Sequence, residues 1–269
     1  MKSLINSAVG ALTRTATNGP AWARRLMAFA LAAVDDVRWI ETGAGRIAVG
    51  VGNPIERWRA DTLLSKEPET IAWLDRTVKP GSVLYDVGAN IGVYALYAAH
   101  LHPGRVTVYC FEPEPLNAAR LNRNIALNGL SGNILAFPLG LSDRDGTSEF
   151  RLSGLEAGRA LHGERMVAPG AEAHTAGMVL RRLDTLLAEN AAMARPTHLK
   201  IDVDGPEAEI LKGAEAALAH PVLRHILIEL ETDAIDTVTA KLESAGFART
   251  GAGEVIDNMQ NVIFEKPAS

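Results

Sequence analysis

Asp86 and Glu112 say most about chemistry, because each closes an apolar run of strand character: VLYDVGANIGVY at 83–94 and RVTVYCFEPEP at 105–115. Behind Asp86 come Gly88, Asn90 and Gly92, a GxNxG spacing. Gly88 lets the chain turn with no Cβ in the way, Gly92 lets the following helix sit close to the strand, and the helix start offers unused N–H donors. A carboxylate placed like Glu112 accepts paired hydrogen bonds from the two ribose hydroxyls of an adenosine group. Together the two runs describe a pocket for a nucleotide-type cofactor.

A dinucleotide site asks for a third small residue and a bare helix start around its pyrophosphate. Here Asn90 replaces the middle glycine, and Asp86 stands just before the turn, where it repels a phosphate but attracts an amino group and a sulfonium. S-adenosylmethionine is the cofactor this charge pattern predicts, with a nicotinamide dinucleotide as the alternative.

More acids stand where later strands end. THLKIDV at 197–203 places Lys200 and Asp202 on one face and runs out into Asp204, while HILIEL at 225–230 ends in Glu229 and Glu231. An aliphatic hydroxyl is a poor nucleophile near neutral pH and gains from a base. Asp202 is the first candidate for that base or for contact with the cofactor's amino group, and Lys200 and Asp204 complete the catalytic set. Lys200 and Asp202 also read as a buried ion pair holding the strand end, and Asp204, ahead of Gly205 and Pro206, as a helix start. A divalent metal is open to Asp202, Asp204 and Glu229 as hard oxygen ligands, but their spacing does not require one and none is favoured. His198 enters its strand from the amino end and reads as structural; His162 and His174 read as solvated loop residues.

These ends need a sheet to hold them. The pattern predicts strand 83–87, helix 91–101, strand 105–111, helix 115–128 and strand 133–139, a βαβαβ series with helices on both faces of a parallel sheet. After a hairpin edge and a mobile loop over 142–178, the series resumes with strand 197–203, helix 206–219, strand 225–230, helix 233–245 and a last strand 261–266. Upstream, SKEPETIAWLDRTV reads as a helix capped by Ser65 with Pro68 in its first turn. Residues 1–61 form an extension, helical to about 36 and then a hairpin of VRWIE and RIAVGV around TGAG; residues 62–269 form the main domain.

At 269 residues and 47% hydrophobic the chain can bury a full core, and a net charge of −5 offers no basic field for nucleic acid. Cys110 is the single cysteine, so no internal disulfide can form and a reducing cytoplasm is expected. The run LMAFALAAV at 26–34 is too short to span a membrane and starts too late for a signal core. With Trp22, Leu26, Phe29 and Ala33 on one face, it reads as a helix that caps the domain or pairs two subunits.

VLYDVGANIGVYALYAA, FEPEPLNAARLNRNIALNGL, LGLSDRDGT and, above all, HLKIDVDGPEAEILKGAEAAL resemble the FkbM-type methyltransferases over roughly residues 62–266. The resemblance implies a class I, Rossmann-like α/β fold with a seven-stranded, mostly parallel sheet whose final strand is antiparallel. It implies S-adenosylmethionine as donor and a hydroxyl of a sugar or secondary metabolite, a small-molecule or glycosylated acceptor, as target. It also brings Glu67 of KEPETIAWLD to the methionine part of the cofactor and Leu141 of LGLSDRDGT to the cofactor pocket, although a helix dipole accounts for Glu67 as well. Two other readings stay open: a nicotinamide-dependent oxidoreductase, and a non-catalytic cofactor-binding protein that joins a partner enzyme.

Overall fold

The computed structural model describes residues 20–22, 36–152, 156–159 and 174–267. Residues 38–269 form one compact unit and residues 1–37 another. Of the helix expected over 22–34, only Trp22 is described, and it is exposed; Leu26, Phe29, Ala33 and the loop residue His162 lie outside the described residues.

The larger unit opens with the expected hairpin, β1 (Val37–Thr42) and β2 (Gly45–Gly50), followed by α1 (Pro54–Asp61) and α2 (Pro68–Thr77). The boundary expected at residue 62 therefore falls inside this unit. Ile47, Val49 and Val51 join one core cluster with Trp73 and Leu96. The backbone of β2 is tied down by two asparagine side chains: Asn128 exchanges bonds of 2.9 and 2.7 Å with Ala48, and Asn124 accepts from the Gly50 N–H at 2.9 Å. Burying these groups without partners would cost more than the bonds return, so both amides are part of how the hairpin docks.

α1 has little apolar periodicity and owes its start to a capping box. Asn53 accepts from the N–H groups of Ile55 and Glu56 at 2.8 and 2.9 Å, and Glu56 accepts in return from the Asn53 N–H at 3.2 Å. Replacing Asn53 by Ala is expected to cost about 1 kcal/mol, read as a shift in the denaturant midpoint at unchanged slope. α2 begins differently from expectation: Ser65 is exposed and its hydroxyl points back to the Thr62 carbonyl, while Glu67 occupies the cap position without a side-chain cap bond. Pro68 suffices to fix the first turn.

The α/β series follows as β3 (Val83–Val87), α3 (Val93–Leu101), β4 (Thr107–Phe111), α4 (Pro115–Leu127), β5 (Ile134–Phe137) and β6 (Gly140–Leu141). An inserted hairpin, β7 (Gly146–Leu152) and β8 (His174–Arg181), pairs with β6 in a separate three-stranded sheet, so the C-terminal end of the expected loop is strand. Then come α5 (Leu183–Glu189), β9 (His198–Ile201), α6 (Glu207–Gly213), α7 (Glu215–Ala219), β10 (His225–Glu231), α8 (Ile235–Ser244), β11 (Ala248–Ile256) and β12 (Met259–Glu265). The helix expected over 206–219 is thus two helices, and β11 is an additional strand.

The main sheet has seven strands in the order β11-β12-β10-β9-β3-β4-β5, with β12 antiparallel to both neighbours. Side chains alternate between its faces: Leu84, Val108 and Cys110 join the cluster under α2, α3 and α4, whereas Tyr85, Phe111, Leu199 and Ile201 join the one under α5 to α8. The expected α/β architecture is therefore present. From β3 the chain winds outward through β4 and β5, then returns to the other side of β3 with β9 and β10. The carboxyl ends of β3 and β9 form the point of reversal where such sheets bind ligands.

Candidate active site

Four acids converge at that point. Asp86 ends β3 on the α3 side of the sheet, 1% exposed, and neither carboxylate oxygen has a hydrogen-bond partner. Its register partner on β9 is Lys200, also 1% exposed, whose Nζ lies 3.8 Å from Asp86 Oδ1 and donates to Asp202 Oδ2 at 2.7 Å. Tyr94 from α3 places its ring centroid 5.0 Å from the same ammonium. Glu229, near the end of β10, stands beside Asp202, because Ile228 and Ile201 are register partners one residue earlier. Glu67, at the head of α2, accepts from the Thr70 hydroxyl and pairs with Lys66.

The electrostatics follow from this burial. Desolvation raises the Asp86 carboxyl to about 6 against the opposing charge of Lys200. Burial works against ionisation of Lys200 as well, but Asp202 and Asp86 outweigh it and keep the ammonium charged. Burial also works to raise Asp202, and Lys200 overcomes it and holds that carboxyl at about 2. At Glu229 the balance is the reverse: burial, then the Asp202 charge, outweighs the pull of Lys200 and lifts it to about 8. The neighbours Asp202 and Glu229 thus carry one proton between them near neutral pH, a coupled pair rather than two independent acids.

Glu112 stands at the end of β4, on the far side of Asp86. Its two oxygens accept from the Asn90 N–H at 2.7 Å and the Glu114 N–H at 2.9 Å, which fixes the carboxylate in the loop that follows β3. Burial raises it to about 7 despite these two bonds. Asn90 sits at φ 50°, a left-handed conformation that asparagine tolerates, and its side chain donates to the Arg159 carbonyl at 2.7 Å. Asn117 on α4 donates to the same carbonyl and accepts from the Gly158 N–H. Residues 156–159 of the inserted hairpin are in this way pinned against the β3–α3 loop.

The glycines serve packing more than ligand approach. At Gly88 (φ 80°) a Cβ would lie 1.9 Å from the Asp202 carbonyl oxygen, so this glycine is what lets the β3 loop meet the end of β9. At Gly92 (φ 87°) the neighbour is Leu121 of α4, not the strand expected from the spacing. Leu141 is 4% exposed and belongs to the core cluster containing Phe111 and Leu183. Asp204 is half-buried and does not start the following helix: Pro206 holds the cap position of α6, and the Gly205 N–H is taken by Glu207. Glu231 is exposed.

His198 lies at the opposite end of β9, stacked on His225 with centroids 4.6 Å apart, and burial depresses its pKa to about 3. No group of three or more His, Cys, Asp or Glu side chains among the described residues could hold a metal ion, and no described helix is long and apolar enough to cross a membrane. Sequence reasoning missed Tyr94, Arg59, Asn117 and the capping acid Glu114. Of these only Glu114 had a local signal, an acid directly before the proline that opens α4.

A Rossmann-like sheet reversed between β3 and β9, with acids at four neighbouring strand ends, defines a class I methyltransferase. The methyltransferase FkbM domain model matches residues 86–249, and the chain belongs to that family. It is similar to 31-O-demethyl-FK506 methyltransferase FkbM of Streptomyces tacrolimicus, 31% identical over 197 residues, covering 63% of this chain and 74% of the relative. Methyltransferase 1 of Beauveria bassiana is 30% identical over 183 residues, covering 62% and 72% respectively. Hexuronic acid methyltransferase AglP of Haloferax volcanii is 30% identical over 164 residues, covering 61% and 62%.

Proposed function

We propose that this methyltransferase uses S-adenosylmethionine to methylate a hydroxyl oxygen of a sugar or secondary metabolite. The observation that carries the reading is Asp86: a buried carboxylate with two unpartnered oxygens at the switch point, one strand away from a second carboxylate held by backbone N–H groups. Buried polar atoms are almost always satisfied, so a pair of orphans at a ligand site speaks for a ligand that donates to them. A cofactor with an ammonium and a sulfonium fits that demand, and a pyrophosphate does not. The names of two relatives, 31-O-demethyl-FK506 methyltransferase and hexuronic acid methyltransferase, support an oxygen acceptor on a sugar or secondary metabolite.

When bound, S-adenosylmethionine supplies a methyl group made electrophilic by the sulfonium. Asp86 and Glu67 take its ammonium, and Glu112 takes the ribose hydroxyls. The acceptor hydroxyl must lose a proton as the methyl is transferred, and the ionised Asp202, beside the protonated Glu229, is the candidate to accept it. Lys200 positions Asp202, and Asp204 follows two residues later, past the end of β9. Holding both reactants in line supplies much of the rate. The apolar face at 22–34 is proposed as a homodimer contact, and a small acceptor rather than a nucleic acid as the partner.

Calorimetric titration of S-adenosylhomocysteine into ligand-stripped protein tests this reading. Wild type should bind it and ignore NAD, and Glu112→Ala should weaken binding by about 10- to 100-fold, the loss of hydrogen bonds to a charged group. Absence of heat with the wild-type protein would sink the proposal.

A further inference from the structure

The amino-acid end of S-adenosylmethionine carries an anion as well as a cation, and the acids described above serve only the cation. Among the described residues Lys200 is the one cation carried on these strand ends, and it is held by Asp202 at 2.7 Å and Asp86 at 3.8 Å. The carboxylate therefore needs another positive group. A recess opens beside Tyr94, lined by Arg59, Thr62, Leu63, Lys66, Val93 and Tyr94. Val93 and Tyr94 begin α3, a helix of nine residues whose first-turn N–H groups have no partners within the helix. Arg59 enters from α1 and Lys66 from the turn before α2, so two cations and a helix start face one space.

Arg59 is half-buried, and its guanidinium is oriented by donation to the Gly158 carbonyl. It lines the recess together with Tyr94. Lys66 pairs with Glu67 and also acts on Asp202. Resting on the cofactor reading above, we infer that Arg59 and Lys66 form the seat of the cofactor's α-carboxylate, with Glu67 and Asp86 taking the adjacent ammonium. Both cations precede residues 86–249, the stretch that the family model matches. The arginine that meets the carboxylate holds residues 156–159, the described part of the insertion that borders the site.

The test compares S-adenosylmethionine with its decarboxylated analogue, which keeps the ammonium, sulfonium and adenosine and lacks only the carboxylate. Affinities of both are measured by calorimetry on the full chain, for wild type, Arg59→Met with Lys66→Met, and Arg59→Lys. The expected result is that the preference for S-adenosylmethionine over the analogue falls by at least about tenfold in the double variant and is largely kept in Arg59→Lys. A ratio that does not move, with both ligands weakened equally or not at all, overturns the seat while leaving the cofactor reading in place. Failure of wild type to bind either ligand overturns both.

Discussion

Gly88→Ala is expected to be the most damaging single-methyl change in the protein, lowering stability by about 3–5 kcal/mol and abolishing measurable cofactor binding. Two costs add. At φ 80° an alanine sits in the left-handed region, and its Cβ would stand 1.9 Å from the Asp202 carbonyl oxygen. That oxygen is backbone, and the Asp202 N–H is bound to the Val87 carbonyl at 3.0 Å, so β9 cannot withdraw without breaking the ladder that aligns Lys200 with Asp86. Gly92→Ala is the informative comparison. Its φ of 87° is as unfavourable, but the atom met at 2.3 Å is a leucine methyl that can rotate away. About 1–3 kcal/mol is expected there, with binding weakened but retained. Urea unfolding and S-adenosylhomocysteine titration of both variants check the ranking; equal effects would mean that the β3–β9 junction is softer than its geometry implies.

The same junction shows what a sequence can and cannot reveal. Asp86 and Glu112 were legible because each ends an uninterrupted apolar run, and burial on both faces of a parallel sheet writes such runs into the chain. The grouping of Lys200 with Asp202 was legible from the two-residue period alone. By contrast, α1 hides in PIERWRAD, which lacks a continuous apolar stripe and is announced only by the Asn53–Glu56 capping box. β11 hides in ARTGAGEVI, an edge strand whose residues are mostly exposed and include two glycines. The break between α6 and α7 answers to a contact 71 positions away in sequence, since a Cβ on Gly213 would meet the Ser142 carbonyl at 1.9 Å.

Site residues divide along the same line. Those carried on strand ends could be found from pattern. Arg59 and Asn117 could not, because their roles depend on how α1 and α4 meet residues 156–159, nor could Tyr94, whose ring meets Lys200 of β9, and no local period encodes such contacts. Ser65 was misread for a related reason: a serine ahead of a helix resembles a cap, yet the proline two positions before the expected second turn shifts the start to Pro68.

Cofactor affinity should rise steeply with pH between about 5.5 and 8, and the stability of the ligand-free protein should fall over the same range. Burial lifts Asp86 to about 6, Glu112 to about 7 and Glu229 to about 8. Each lies above its unfolded value near 4, so the folded state holds more protons than the unfolded one across this window. Stability contributed by these groups is complete below pH 4 and is lost as pH climbs through the three folded values. Asp202, held at about 2, works in the other direction below pH 4, and His198, depressed to about 3, opposes the trend up to about pH 6.5, one group against three. Binding reverses the balance, since an ammonium and ribose hydroxyls are received by ionised carboxylates. Asp86 and Glu112 must therefore release protons on association. Affinity should change by about tenfold per pH unit where one proton is released, and by up to about 100-fold across the range. Titrations in two buffers of different ionisation enthalpy should report net proton release near pH 6 that shrinks towards pH 8. Saturating S-adenosylhomocysteine should flatten the stability profile by supplying the charge that burial denies. Proton uptake on binding would contradict the assignment of Asp86 and Glu112, because a carboxylate already ionised at pH 6 has no proton to give up and no reason to be strained in the empty site.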